Sequence, residues 1–114
     1  MSIVRGFSLA GVHVIGFGLS LTPEWDKTKA LVIDLIKRDI RVNAIALGYF
    51  RTDMTRGSYN NPSLREARNK RIMLGRWGNP CDLIGPCIFL ASEAAAYITG
   101  IDLFVDGGWV AKGL

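Results

Sequence analysis

At 114 residues the chain is at most one domain, long enough to bury a core without a disulfide or metal staple. Its composition, 49% hydrophobic and 21% charged with 13 Gly and 4 Pro, excludes a disordered or fibrous chain. The net charge of +4 comes from basic residues spread along the chain and interleaved with acids. No aromatic platform alternates with them, so a solvated face is expected and nucleic-acid binding is not.

In chain order, residues 2–7 begin apolar and read as the end of a strand. Residues 9–20 are Gly-rich and read as loop, or as loop holding a short strand at 12–15. Arg5 and the apolar residues after it have some look of a signal peptide. Gly11, His13, Gly16 and Gly18 interrupt that stretch and no small-x-small cleavage site follows, which argues against it. No run reaches the roughly 18 apolar residues of a membrane span, so no membrane association is expected. Thr22 and Pro23 are a cap and first-turn proline for a helix carrying Trp25, Ala30, Leu31, Val32, Ile33, Leu35 and Ile36. That apolar stripe is too wide for one buried face and predicts cover on more than one side. Lys37, Arg38 and Asp39 end the helix.

Residues 40–47 (IRVNAIAL) form an apolar run of strand length closed by Gly48, the pattern of a parallel strand buried on both faces. Residues 57–62 are polar and turn-like, and Asn61-Pro62 opens a charged helix over 63–72. Asn79-Pro80-Cys81-Asp82 gives a helix start with Asn cap, Pro first and acid third. The apolar body at 83–91 contains Gly85-Pro86, which predicts a kink. Ser92 caps a short segment ending at Thr99-Gly100. Residues 101–105 are a last strand, closed by the turn Asp106-Gly107-Gly108. Strands alternating with helices predict an α/β fold with a parallel sheet of three strands.

Cys81 and Cys87, six residues apart, fit neither a zinc knuckle nor a redox CxxC. They read as small apolar helix residues of a reducing compartment, which points to a cytoplasmic location. His13 reads as a satisfied loop histidine, and no metal site is expected. Trp77 and Trp109 read as packing residues.

Four segments in this order and spacing resemble the C-terminal region of the short-chain dehydrogenase/reductase family: IRVNAIALGYFRTDM (40–54), GRWGNPCDLIGPCIFLAS (75–92), AAAYITG (94–100) and LFVDGGW (103–109). The family's Pro-Gly after the first of these is Leu47-Gly48 here. The wording is most similar to the sugar-acid branch, the gluconate 5-dehydrogenase and 2-deoxygluconate dehydrogenase-like members. The resemblance implies the C-terminal portion of a Rossmann-like, doubly wound parallel sheet, incomplete here, and NAD(P) as cofactor. It also implies that Gly48, Phe50 and Thr52 are the cofactor-binding positions, with the backbone after the strand receiving the nicotinamide carboxamide and the Thr hydroxyl contacting the cofactor. Ligands of open α/β sheets do sit at the carboxyl ends of strands. Residues 2–11 (SIVRGFSLAG) resemble the strand and loop that bear the family's catalytic Ser, which puts Ser8 in that position. The helix over 63–72, with Arg65, Arg68, Lys70 and Arg71, falls where the family has its substrate-covering segment. Its charges could meet an acidic sugar, but a solvated face is the favoured reading.

The family's reaction needs a phenol as general acid/base with a Lys ammonium one helical turn away to lower its pKa. Tyr49, Tyr59 and Tyr97 are followed four residues later by Asp53, Ser63 and Ile101, none of them Lys. Register shifts put Phe17 and Leu21, Leu21 and Trp25, or Trp25 and Lys29 in the two positions. A Gly-rich phosphate loop is also absent from this sequence, and Gly16-x-Gly18 lacks the third Gly and the prompt helix. The expectation is a truncated or divergent member, related to NAD(P)-dependent sugar-acid and alcohol oxidoreductases and catalytically silent alone. Two other readings stand beside it. One is a non-catalytic interaction protein that pairs with itself or with an intact family member. The other is a gene fragment without evolved function.

Overall fold

The computed structural model describes residues 25–113. The expected strand at 2–7, the loop at 9–20, His13, the cap at Thr22 and Ser8 lie outside these residues. The elements are α1 (Trp25–Leu35), β1 (Ala44–Leu47), α2 (Arg56–Asn60), α3 (Pro62–Arg71), α4 (Ile84–Ala91) and β2 (Asp102–Val105). Single 3-10 turns lie at Ile36–Arg38, Pro80–Leu83 and Glu93–Ala95. β1 and β2 pair in parallel, with Ala44 opposite Asp102 and Leu47 opposite Val105. A parallel pair requires a long crossover, and α2, α3 and α4 supply it. The α/β class and the parallel sheet therefore hold, with two strands among the described residues.

Several boundaries differ from the sequence expectation, each for a physical reason. The strand expected at 40–47 begins only at Ala44. The residues before it spend their polar groups on a side-chain latch instead of a ladder. The Arg41 guanidinium donates to the carbonyls of Leu90 (3.0 Å), Ser92 (3.3 Å) and Ile98 (3.1 Å). Val42 N–H donates to Thr99 Oγ1 at 3.1 Å, and the Val42 carbonyl accepts from Gly100 N–H at 2.7 Å. Asn43, only 2% exposed, donates from Nδ2 to the Ile98 carbonyl at 3.1 Å and accepts at Oδ1 from Ile101 N–H at 3.3 Å. A buried amide survives only when satisfied in this way.

The stretch at 57–62, expected as turn, contains α2 over Arg56–Asn60. It breaks at Asn61, whose extended backbone and side chain cap α3: Asn61 Oδ1 accepts from Leu64 N–H at 3.2 Å, with Pro62 in the first turn. The single kinked helix expected from Asn79 to Ala91 is divided into a 3-10 turn and α4. Pro86 consequently sits in the first turn of α4, where a missing N–H breaks no intrahelical bond. Ser92 does not cap with its side chain; its hydroxyl donates back to the Phe89 carbonyl at 2.9 Å.

Val42, Ala44, Ile45, Phe50, Ile72, Trp77, Leu90 and Ala95 form the core, and Leu90 is fully enclosed. The two-sided cover expected for α1 is not found: Ile33 and Ile36 are exposed and Leu31, Val32 and Leu35 only half-buried. Among the described residues, two strands offer too little sheet to cover that helix. Cys81 lies in the 3-10 turn and Cys87 on α4, both exposed, and the desolvation Cys87 does undergo raises its thiol above the ordinary value.

Candidate active site at the strand ends

Both strands end at the same edge. Gly48 N–H extends the ladder one residue beyond β1 by donating to the Val105 carbonyl at 3.1 Å. A Cβ on Gly48 would lie 2.7 Å from Asp106 Cα and 2.8 Å from its Cβ, so the two chains approach there as only glycine permits. The chain then turns under the crossover. Gly78 N–H donates to the Tyr49 carbonyl and Arg51 N–H to the Gly78 carbonyl, both at 2.8 Å. The buried Phe50 ring fills the space a Gly78 side chain would need.

Of the three positions carried over for the cofactor, Gly48 and Phe50 stand at this strand end, and Phe50 is chiefly a packing residue. Thr52 is exposed and belongs to a small hydroxyl cluster. The Thr55 hydroxyl donates to the Phe50 carbonyl and accepts from Thr52 N–H at 3.0 Å, with Thr52 Oγ1 at 3.2 Å. A hydroxyl has one proton and two lone pairs, so Thr55 is saturated and Thr52 Oγ1 keeps acceptor capacity for a further group.

A cavity of about 180 Å³ opens beside these residues, lined by Tyr49, Phe50, Leu74, Gly78, Asp106 and Gly107 among others. Arg76 and Asp82 close one side with a bidentate pair at 2.9 and 3.1 Å, and Asp82 also accepts from Asn79 N–H at 2.7 Å. The Arg76 hydrogen bond, followed by the Asn79 amide, lowers Asp82 to about 2, while Arg76 is raised by the same pairing. Both groups stay charged near neutrality and cannot shuttle a proton there. Asp106 is engaged as a turn cap, accepting from Gly108 N–H at 2.9 Å and Val110 N–H at 3.0 Å.

The sequence reading missed an aromatic floor next to this cavity. Tyr49 packs on Trp77 (5.2 Å between centroids) and Trp109 (4.8 Å), and Trp77 on Tyr59 (5.3 Å). Arg68 lies 4.5 Å over Tyr49, Arg71 4.4 Å over Trp109, and Arg51 and Arg65 lie 4.3 and 5.3 Å over Tyr59. The charged face of α3 is thus not simply solvated, and the i, i+3, i+6 spacing of Arg65, Arg68 and Arg71 was its signal. Among the described residues, no group of three His, Cys, Asp or Glu could hold a metal ion, and no helix is long and apolar enough to cross a membrane.

Residues 26–110 match the profile of the family described as enoyl-(acyl carrier protein) reductase. The chain belongs to the short-chain dehydrogenase/reductase family. A 2-dehydro-3-deoxy-D-gluconate 5-dehydrogenase of Pseudoalteromonas atlantica is 41% identical over 102 residues, which are 90% of this chain and 40% of that protein. A 5-keto-D-gluconate 5-reductase of Escherichia coli is 41% identical over 81 residues, covering 71% of this chain and 32% of the relative. Among solved structures, a gluconate 5-dehydrogenase from Burkholderia cenocepacia in complex with NADP and tartrate superimposes with a TM-score of 0.79 at 31% identity. That match covers 89% of this chain and 46% of the other. The chain therefore spans less than half the length of these short-chain dehydrogenase/reductase relatives. It is related to NAD(P)-dependent sugar-acid dehydrogenases, and its small parallel sheet is part of their Rossmann-type fold.

Proposed function

We propose that the chain is the strand-end and substrate-covering portion of an NAD(P)-dependent oxidoreductase for sugar acids or related alcohols, and that these 114 residues alone turn nothing over. The observation that carries the first half is the site at the ends of β1 and β2: Gly48 ends the strand, Phe50 lines the cavity and Thr52 follows two residues on, where an open α/β sheet takes its ligand. In that role the backbone at Gly48 and Phe50 and the free acceptor of Thr52 Oγ1 would hold the nicotinamide carboxamide. The cofactor would supply or accept the hydride. Ser8 would hydrogen-bond the substrate oxygen. The relatives' names, and the NADP and tartrate bound to one of them, agree with this substrate class.

The second half rests on proton transfer. A positioned acid/base contributes about 10² to 10⁴ in rate, and no Tyr here is followed by Lys at the fourth position. Arg76, Asp82 and Asp106 at the cavity are already committed to internal partners. A chimera tests the proposal: residues 40–114 replace the corresponding segment of a full-length 2-dehydro-3-deoxy-D-gluconate 5-dehydrogenase. Activity of the chimera on sugar acids with NAD(P) is expected; a folded chimera that neither binds cofactor nor reduces a keto-acid sugar refutes the reading.

Pairing with a second copy or an intact relative is favoured by one observation. Ile84 and Ile88 of α4 and Phe104 of β2 are 59%, 63% and 48% exposed, large apolar side chains that a second chain would cover. Light scattering of the chain alone and mixed with a full-length relative decides it, since no mass above those of the separate components removes this reading.

A further inference from the structure

We infer that Arg65, Arg68 and Arg71 of α3, with Arg51, form a subsite that reads the carboxylate of a polyhydroxylated acid, the aromatic floor beneath them holding the guanidinium groups in place. The inference rests on the sugar-acid reading above and assigns the residues that would select the acid.

Charge accounting comes first. α3 holds four cations and one anion, and Glu66 is matched by Lys70 at 3.2 Å. Arg65, Arg68, Arg71 and Arg51 have no carboxylate partner among the described residues. Their interactions are with ring faces, apart from one long bond from Arg65 to the Tyr59 carbonyl at 3.4 Å. Stacking on a ring leaves the edge of a guanidinium free, and that edge carries the paired N–H donors that match a carboxylate.

Placement comes second. Tyr49 belongs both to the ring cluster and to the cavity wall, and Arg68 lies over that same ring, so one residue separates the guanidinium row from the strand-end cavity. Arg65 and Arg68 are half-buried while Arg51 and Arg71 are exposed, which makes the row a graded wall. Trp77 lies beneath Arg68 at 5.6 Å, is 3% exposed, and its Nε1–H has no acceptor. Buried donors are rarely left unpaired, and this one lies under an uncompensated cation. An acyl chain would find charge here instead of an apolar channel, and a neutral polyol would leave the guanidinium edges unused.

The test is titration calorimetry on the full 114-residue chain with gluconate, with glucitol as the neutral polyol and with glucose 6-phosphate, in parallel with tryptophan fluorescence. Gluconate is expected to bind at least tenfold more tightly than either of the others. Arg68→Gln and Arg71→Gln should each weaken it about tenfold. Arg68→Lys should recover part of the loss, and Arg38→Gln, outside the cluster, should have no effect. Should Arg68→Gln lose its circular dichroism signature, the exposed Arg71 carries the comparison. Equal affinity for glucitol, tighter binding of glucose 6-phosphate, no gluconate binding, or indifference to both glutamine variants overturns the inference. The assay contains no nicotinamide cofactor, so its outcome is independent of whether the chimera above transfers hydride.

Discussion

The latch ahead of β1 permits a quantitative test. Asn43→Ala removes two hydrogen bonds from a side chain that is 2% exposed, those to the Ile98 carbonyl and from Ile101 N–H. The two partners are left differently. The Ile98 carbonyl keeps the Arg41 guanidinium at 3.1 Å, whereas Ile101 N–H has no other acceptor among the described residues. Ile101 is 37% exposed and partly open to solvent, so about 0.5–1.5 kcal/mol for each of the two bonds gives a destabilisation of roughly 1–3 kcal/mol. The shared carbonyl adds a sharper consequence. Arg41→Met alone leaves Ile98 bonded to Asn43, but the double variant leaves it with neither donor. The double variant should therefore be less stable than the sum of the single changes by about 1–3 kcal/mol. Urea unfolding followed by far-UV circular dichroism measures all four corners of the cycle, read as midpoints at constant slope. A loss below about 0.5 kcal/mol for Asn43→Ala, or additivity within about 0.5 kcal/mol, would refute this description of the latch.

Other expectations follow from single contacts. Gly48→Ala drives a Cβ into the backbone of Asp106 and should destabilise by about 1–3 kcal/mol, whereas Gly57→Ala, with open space at that position inside α2, should be neutral or stabilising by up to about 1 kcal/mol in the same unfolding assay. Pro86→Ala should change stability by less than about 1 kcal/mol because the proline occupies the first turn of α4; a gain near 3 kcal/mol would mean that it interrupts a helix interior. Asp82 is depressed from an ordinary 3.8 to about 2 in the folded chain, so its contribution is complete above about pH 4 and is lost as the pH falls toward 2. Arg76→Gln removes the larger cause and should move the carboxyl resonance titration of Asp82 upward, short of the ordinary value because the Asn79 amide remains.

Much of the fold was legible because its signals are local. Asn61-Pro62 and Asn79-Pro80 mark chain entry into helical turns, and the apolar run closed by Gly48 has the length of a strand. The expectation failed where one local pattern serves a tertiary demand. Residues 40–43 look like strand, yet Arg41 and Asn43 are drawn off by the carbonyls of Leu90, Ser92 and Ile98, which periodicity cannot see. Ile33 and Ile36 promise a two-sided core that the described strands do not supply. At the site, the Gly48 position was readable from the strand end. The stacking of α3 on Tyr49, Tyr59 and Trp109 was not, because it brings that helix together with rings from three other segments.

The most direct measurement is a single turnover with the chain in excess over NADPH deuterated at the transferring position, with 5-keto-gluconate as acceptor and mass spectrometry of the sugar acid. No deuterium above the protein-free control is expected, because no Tyr in this sequence is followed by Lys at the fourth position to help deliver the accompanying proton. Deuterium in the product, at a rate that scales with the concentration of the chain, contradicts the account.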